Sequence, residues 1–175
     1  MANLLNQEPD YVFSSNKLGA TRKYLYESGM LFREFKSHLK IGSLPLIHIT
    51  VGINPQTGKR LSARGIIAIG RKAVGIIAIG QFALGVISIG QVSFGAIAIG
   101  QLAIALTFAL GQLSIAPLLA IGQFAVGFAA IGQFAAGRYT LGQFGIGKFV
   151  LTPRRQDWQA VCFFKTLLKN LKMLF

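Results

Sequence analysis

The stretch Gly80-Gln-Phe-Ala-Leu-Gly-Val-Ile-Ser-Ile-Gly-Gln-Val-Ser-Phe-Gly-Ala-Ile-Ala-Ile-Gly100 carries a glycine at every fifth position. Each unit reads small residue, large aliphatic residue, glycine, variable residue, large apolar residue. Outward from this stretch the spacing begins at Gly65 and continues to Gly147, with one-residue shifts near residues 105–110 and 116–119. Such self-similarity indicates a tandem repeat, which decides the architecture before any single residue does.

A period of ten is superimposed on the period of five. In alternate units the variable position is glutamine, whereas in the units between it is mostly apolar, as at Ile76 and Val86. Stacked amides stabilise neighbouring strands, so we expect these side chains to form a ladder. The predicted ladder consists of Gln81, Gln91, Gln101, Gln112, Gln123, Gln133 and Gln143.

A five-residue unit suits a β-solenoid, in which short straight edges are joined at corners. Glycine supplies a corner because it accepts a positive φ without a Cβ clash. Four edges give a turn of about twenty residues, and residues 63–149 then make about four turns. The one-residue shifts become local bulges. The predicted structural corners are Gly70, Gly80, Gly90, Gly100, Gly122, Gly132 and Gly142.

This geometry predicts which side chains face the core. Phe82 and Leu84 lie two apart on an extended edge, so we place both inward and Ala83 outward. The twenty-residue turn stacks Gln81 near Gln101, and Gln91 near Gln112. The predicted fold class is therefore an all-β repeat: a β-solenoid of about four turns built from five- and ten-residue units, with flanking α-helical N- and C-terminal segments.

A transmembrane interpretation competes with the solenoid, because residues 73–137 contain no charged side chain. Five residues advance a helix by roughly 140° net, so the glycines would be spread over every face. Helices packing closely in lipid need small residues four apart on one face. Each interior glycine also costs a helix about 1 kcal/mol relative to alanine. The periodicity thus favours the solenoid.

The unit Ala78-Ile79-Gly80-Gln81-Phe82 resembles the right-handed solenoids of pentapeptide-repeat proteins, and a solenoid between membrane-binding tails is similar to the bactofilins. The pentapeptide family has Ala-Asp/Asn-Leu with polar flanks, whereas this unit leaves the outside apolar. The resemblance covers about half of the chain. It implies a solenoid architecture and, by analogy with bactofilins, polymerisation.

Two segments precede the repeat. Residues 1–43 form a basic N-terminal segment in which residues 20–40 are predicted to be an amphipathic helix, with Phe35 and Leu39 in its apolar stripe. Residues 44–62 are predicted to form a strand over 45–52 and a hairpin that caps the first solenoid turn. The run Asn54-Pro-Gln-Thr-Gly58 is a turn signal.

The C-terminal segment, residues 151–175, follows the repeat domain of residues 63–150 and is predicted to be a basic amphipathic helix. Its lysines fall on one side at 100° per residue, opposite a Phe/Leu face, as in helices that lie in a membrane interface. The alternative is a helix that packs on the solenoid end as a cap. The predicted membrane-binding residues are Phe163, Phe164, Lys165, Leu167, Leu168, Lys169, Leu171, Lys172, Leu174 and Phe175.

Catalytic chemistry has little support in the sequence. No carboxylate occurs between Glu34 and Asp157, and neither His38 nor His48 has a ligand-like neighbour. Cys162 is the sole cysteine, which excludes an intramolecular disulfide and favours a reducing compartment. Residues 1–10 lack the pattern of a signal peptide. We therefore predict a protein that is not an enzyme and uses no metal, cofactor or small-molecule substrate.

The leading functional prediction is a structural scaffold or cytoskeletal filament whose solenoid ends add head to tail. A net charge of +13 favours attachment to anionic lipid at the cytoplasmic face of a cell membrane, most naturally a bacterial one. Its partners are then further copies of itself and membrane lipid. The alternative is a small integral membrane protein, a pore or a membrane-remodelling protein. Nucleic acid is disfavoured because the basic residues form no dense patch.

Overall fold

A computed structural model describes residues 11–173 of the chain. Strands make up most of these residues, which confirms the predicted all-β class, and one helix follows them. The elements are β1 (Val12–Asn16), β2 (Gly19–Leu25), β3 (Leu31–Ser37), β4 (Lys40–Ile41), β5 (Leu44–Pro45), β6 (Ile47–Val51), β7 (Ser62–Leu151) and α1 (Trp158–Met173). The chain forms two compact units, Met1–Gly90 and Gln91–Phe175.

The first unit begins with a sheet in the order β1-β2-β3-β6-β7. The first four of these strands pair antiparallel, with Arg22 opposite Glu34 and Glu34 opposite Thr50. β6 then pairs in parallel with the start of β7, placing His48 beside Ala68. A two-stranded ribbon of β4 and β5 lies apart from this sheet.

The predicted amphipathic helix over residues 20–40 is wrong, because this segment is the β2–β3 hairpin. In β3, buried Phe32 and Glu34 alternate with exposed Leu31 and Arg33, a period of two rather than 3.6. Gly29, with φ of 79°, allows the reversal between the strands. Residues 1–10, on which the signal-peptide expectation depends, lie outside the described residues.

The strand predicted over residues 45–52 is present as β6, and the predicted turn follows it. Gly58 N donates to Asn54 O at 2.9 Å, and Asn54 N donates to Lys59 O at 2.9 Å. Gly58 has a φ of 62°, which a residue with a Cβ rarely adopts. β6 therefore covers the first edge of β7 as a parallel strand rather than as half of a hairpin.

Residues ten apart in β7 lie against each other. In the first unit, a Cβ built on Gly90 would lie 1.9 Å from Gly80 O. In the second unit, Gly132 has the same relation to Gly122, and Phe124 stacks on Phe134 with 5.0 Å between ring centroids. The turn of twenty residues is therefore wrong. The pairing of alternate glutamines, Gln81 with Gln101 and Gln91 with Gln112, fails with it.

The core of β7 is a column of small side chains. Ala83 is 2% exposed, whereas Phe82 is 51% and Leu84 is 54% exposed, so the predicted inward placement of the large residues is reversed. Residues ten apart approach closely in β7, and the residues buried there are small. The buried positions are five residues apart, or six where the frame shifts: Ala63, Ala68, Ala73, Ala78, Ala83 and Ser88 in the first unit and Ser93, Ala98, Ala103, Ala109, Ser114, Ala120, Ala125, Ala130, Ala135 and Thr140 in the second.

The repeat glycines are needed for close approach rather than for positive φ. Among residues 11–173, positive φ occurs only at Gly29, Gly42, Gly52 and Gly58, all before β7. The predicted mechanism for the glycine corners is therefore wrong. A Cβ on most β7 glycines would meet the carbonyl oxygen of the preceding turn, 1.7 Å away for Gly142. That distance is far shorter than any van der Waals contact.

At the two shifts of frame the glycines that lie against each other are eleven residues apart rather than ten. A Cβ on Gly111 would lie 2.0 Å from Gly100 O, and one on Gly122 would lie 2.0 Å from Gly111 O. In these eleven-residue segments Ala105 and Ala116 occupy a position that is glycine in the ten-residue segments, and both are buried. The strand continues through both segments, as expected for local bulges.

Candidate interaction surfaces

The outward side of β7 in the first unit is apolar. Phe82 and Leu84 flank buried Ala83, and Ile76 and Val86 are also about half exposed. Near residues 59–72 this apolar surface gives way to lysine and arginine. A surface that combines large exposed apolar side chains with a cationic border is typical of an interaction site.

The second unit carries an aromatic column on the corresponding edge. Phe124, Phe134 and Phe144 stack with centroids 5.0 and 5.1 Å apart and ring planes within 11° of parallel. Beside this column a groove of about 130 Å³ runs between Val126 and Ile146. All the side chains that line the groove are apolar, and the three rings remain about half exposed. The groove therefore offers apolar contact and few hydrogen bonds.

Helix α1 packs against the second unit through its first half. The Asp157 carboxylate accepts Val150 N at 2.8 Å, and Asp157 N donates to Val150 O at 2.9 Å, which fixes the entry to the helix. The Val150 N–H, and then Arg155, hold the pKa of Asp157 below its usual value. Phe163 stacks on Tyr139 with centroids 4.2 Å apart and planes 13° apart.

The predicted membrane-binding residues of α1 differ in their exposure to solvent. Phe164 is 4% exposed and Phe163 is half-buried on Tyr139, so these two rings are engaged within the chain. Leu168 is 59% exposed, and Leu167 is half-buried. Lys165, Lys169 and Lys172 are exposed, Leu171 lies in the helix, and Leu174 and Phe175 lie outside the described residues. No helix within residues 11–173 is both long and apolar enough to cross a membrane.

The predicted glutamine ladder is exposed at the edge of the turns. In the second unit, a Cβ on Gly111 would lie 3.3 Å from Gln101 O, which makes Gln101 and Gln112 neighbours in successive turns. Gln123, Gln133 and Gln143 follow in the same way. Among residues 11–173 no side-chain hydrogen bond joins two of these amides.

A charged network lies on the N-terminal sheet and was missed at the sequence level. Glu34 is 3% exposed; its carboxylate accepts His48 Nε2 at 3.1 Å and Lys36 Nζ at 2.9 Å, and it also pairs with Arg22. The hydrogen bond from His48 and the two cations outweigh burial and lower the pKa of Glu34 from 4.5. His48 Nδ1 lies 2.8 Å from the backbone N of Arg64 and 3.1 Å from Arg64 O, which connects the network to the start of β7.

The period of two in β3 indicates a strand, but the network also depends on which strands pair. Residues 22, 34 and 48 sit on one face only when residues 20–40 are read as two antiparallel strands. The buried Glu34 carboxylate is paired with all three partners, and these contacts link β2, β3 and β6. Within residues 11–173 no group of His, Cys, Asp and Glu side chains is arranged to hold a metal ion.

Two cationic cavities border the start of β7 in the first unit. One, of about 460 Å³, is lined by Lys59, Arg60, Arg71, Lys72 and Phe82. The other, of about 370 Å³, is lined mainly by lysine, arginine, serine and His48, and it adjoins the Glu34 network through Lys36. These cations outnumber the carboxylates near them, because among residues 11–90 the acids are Glu27 and Glu34 alone.

No protein-family model, curated protein or solved structure matches this chain. The described residues form an all-β repeat with small buried side chains and large exposed apolar side chains in each unit.

Proposed function

We propose that this chain is a non-enzymatic structural scaffold, in which β7 winds as a β-solenoid of ten residues per turn. The scaffold self-assembles through its apolar outer edges and attaches to anionic lipid at the cytoplasmic face of a membrane. The placement of large side chains outside and small ones inside carries this proposal, because it leaves apolar surface that a lone soluble chain would not keep.

Residues ten apart support the solenoid. Ring centroids in successive turns lie 5.0 to 5.1 Å apart, close to the spacing of about 4.8 Å between hydrogen-bonded strands. A column of alanine and serine fills each turn, and glycines give room for the next turn to approach. Each turn thus consists of two short edges joined back to back.

The energetics favour association along the side of the solenoid. Burying the exposed half of a Phe, Leu or Ile side chain contributes about 1 kcal/mol. Association itself costs about 4–15 kcal/mol, so about a dozen such side chains, spread over several turns, are needed for a stable contact. The columns of Phe, Leu and Ile on the outer edges supply such a row.

Addition at the ends of β7 has less support than side-by-side contact. The first edge is paired with β6 through Ile67 and Ala68. The last is bonded to the chain that follows it, since Leu151 bridges to Gln156 and Val150 exchanges hydrogen bonds with Asp157. Occupied edges do not template a further strand. We therefore favour sheets or bundles over the head-to-tail filament expected from the sequence.

Membrane attachment is supported by cations that lack carboxylate partners. Lys165, Lys169 and Lys172 are exposed on α1, near exposed Leu168. Each lysine near an anionic membrane surface contributes about 1 kcal/mol of binding free energy. Lipid headgroups provide the negative charge that the described part of the chain mostly lacks.

Negative-stain electron microscopy, with and without anionic liposomes, tests the proposal. We expect bundles or sheets that gather on liposomes. A variant with Phe124, Phe134 and Phe144 replaced by serine should stay folded by circular dichroism but lose assembly. The matched control makes the same replacement by serine at Gln123, Gln133 and Gln143, one residue earlier in each case, and should assemble normally. A wild-type protein that stays monomeric at high concentration without detergent would contradict self-assembly.

The same measurement distinguishes the alternative, an integral membrane protein with the repeat embedded in lipid. The exposed apolar side chains also favour an integral membrane protein, because lipid acyl chains would remove them from water as readily as a second copy of the chain. Discrete particles that need detergent to stay in solution would support it. Assemblies formed in water, without lipid, would support the scaffold.

A further inference from the structure

Four cations converge at the start of β7. Lys59 and Arg60 come from the loop before the strand, and Arg71 and Lys72 lie on the strand itself; all four are exposed and line one cavity with Phe82. The loop is held in place by its own hydrogen bonds, from Asn54 N to Lys59 O at 2.9 Å and from Thr50 Oγ1 to Leu61 O at 3.3 Å. The cations are therefore brought together by fixed backbone rather than by mobile tails.

The sequence of the repeat changes between residues 71–72 and residues 81–82. Gln81 and Phe82 stand one turn after Arg71 and Lys72, because Gly80 lies directly on Gly70. The first full turn thus carries arginine where the next carries glutamine, and lysine where the next carries phenylalanine. Two positive charges replace an amide and an aromatic ring in otherwise continuous columns.

None of the four cations makes an ion pair within residues 11–173; the ion pairs there belong to Glu34 and Asp157. Four like charges around one cavity repel each other and concentrate anions by their summed field. Guanidinium and ammonium groups together suit a phosphate, since arginine offers paired donors and lysine a point charge.

The apolar side chains beside the cavity indicate which class of phosphate compound fits it. Phe82 is part of the cavity lining, and exposed Val74 and Leu84 lie on the same edge of the strand. A ligand on the cations therefore has an apolar surface beside it. An amphiphile satisfies both parts, whereas the sugar-phosphate backbone of a nucleic acid would set polar groups against Phe82.

We propose that Lys59, Arg60, Arg71 and Lys72 bind the phosphate of an anionic phospholipid, with its acyl chains along the edge that begins at Phe82. The inference rests on the proposed membrane attachment and assigns it a definite site in the first unit. The lipid headgroup then sits where the repeat changes from charged to apolar.

Cosedimentation with vesicles tests the site. Wild-type protein is compared with a variant carrying Arg71→Gln and Lys72→Gln on phosphatidylcholine vesicles with and without about 30% phosphatidylglycerol at about 0.1 M salt. Two cations near an anionic surface contribute about 2 kcal/mol, so the variant should bind anionic vesicles about thirtyfold more weakly. The matched control, Arg138→Gln with Lys148→Gln, removes the same charge from β7 in the second unit and should change binding by no more than threefold.

Soluble ligands distinguish the source of the phosphate. Titration calorimetry with dihexanoyl phosphatidylglycerol should give binding that the Arg71/Lys72 variant loses, and inorganic pyrophosphate should bind more weakly. Equal losses in the test and control variants would overturn the site and leave general electrostatic attachment standing. Tighter binding of pyrophosphate or duplex DNA, lost in the same variant, would overturn the lipid assignment. A wild-type chain that ignores anionic vesicles would overturn the membrane attachment itself.

Discussion

Replacing Gly132 by alanine tests whether close approach between turns holds β7 together. The added Cβ would lie 1.9 Å from Gly122 O and 3.2 Å from Gln123 O, where ordinary contact begins at 3.4 Å. Backbone atoms of neighbouring turns must therefore separate by about 1.5 Å, and hydrogen bonds near 2.9 Å would stretch beyond their useful range. Losing two or three such bonds costs about 3 kcal/mol of the free energy of unfolding.

Urea denaturation followed by circular dichroism measures this cost. At a slope of about 2 kcal/mol per molar, 3 kcal/mol lowers the midpoint by about 1.5 M. The control is Ala116→Gly, which removes a Cβ from a glycine-type position in an eleven-residue turn and should cost no more than about 1 kcal/mol. If Gly132→Ala shifts the midpoint no more than this control does, the glycines are not needed for close approach and the reasoning is wrong.

Two further predictions concern buried polar groups. Glu34→Gln should lower the free energy of unfolding by about 2 kcal/mol at pH 7, because Arg22 and Lys36 lose their carboxylate but stay partly hydrated. Since the folded-state pKa of Glu34 is lowered from 4.5, the wild type should lose this stability as pH falls below about 4.5 and the variant should not; parallel pH profiles from thermal melts would contradict this. Thr140→Val should raise stability by about 1 kcal/mol, because Thr140 Oγ1 is buried without a hydrogen-bond partner among residues 11–173; a lower melting temperature would count against it.

The repeat and its β character could be predicted from the sequence, but the direction of its side chains could not. The hydrophobic rule places Phe82 and Leu84 inside, and in a thick core it would be right. The buried column of β7 holds only alanine, serine and Thr140, so size, not hydrophobicity, decides what is buried. The signal was present: the position of Ala83 never holds a large residue through Thr140, whereas its neighbours range from alanine to phenylalanine.

The helix predicted over residues 20–40 was wrong for a different reason. Apolar residues at 32, 35 and 39 fit a helical stripe, and lysine and arginine between them suit either structure. Pairing with β6 and β2 overrides that local pattern, because β3 gains a hydrogen-bonded partner on both sides. The Glu34 network depends on those pairings, so no reading of local periodicity could assemble it. The turn at Asn54–Gly58 was predictable because its hydrogen bonds are local.

The eleven-residue turns affect how the second unit finds its register. Nearly identical ten-residue segments can pair one segment out of step at little cost, because every segment offers the next the same backbone edge and the same small core residue. The turns containing Ala105 and Ala116 are adjacent and equally long, so each matches the other and neither matches a ten-residue neighbour without leaving a residue unpaired. A chain misaligned by one segment therefore meets a mismatch there. The two eleven-residue segments therefore favour one register in the second unit. In the first unit, the pairing of β6 with residues 67–69 has the same effect.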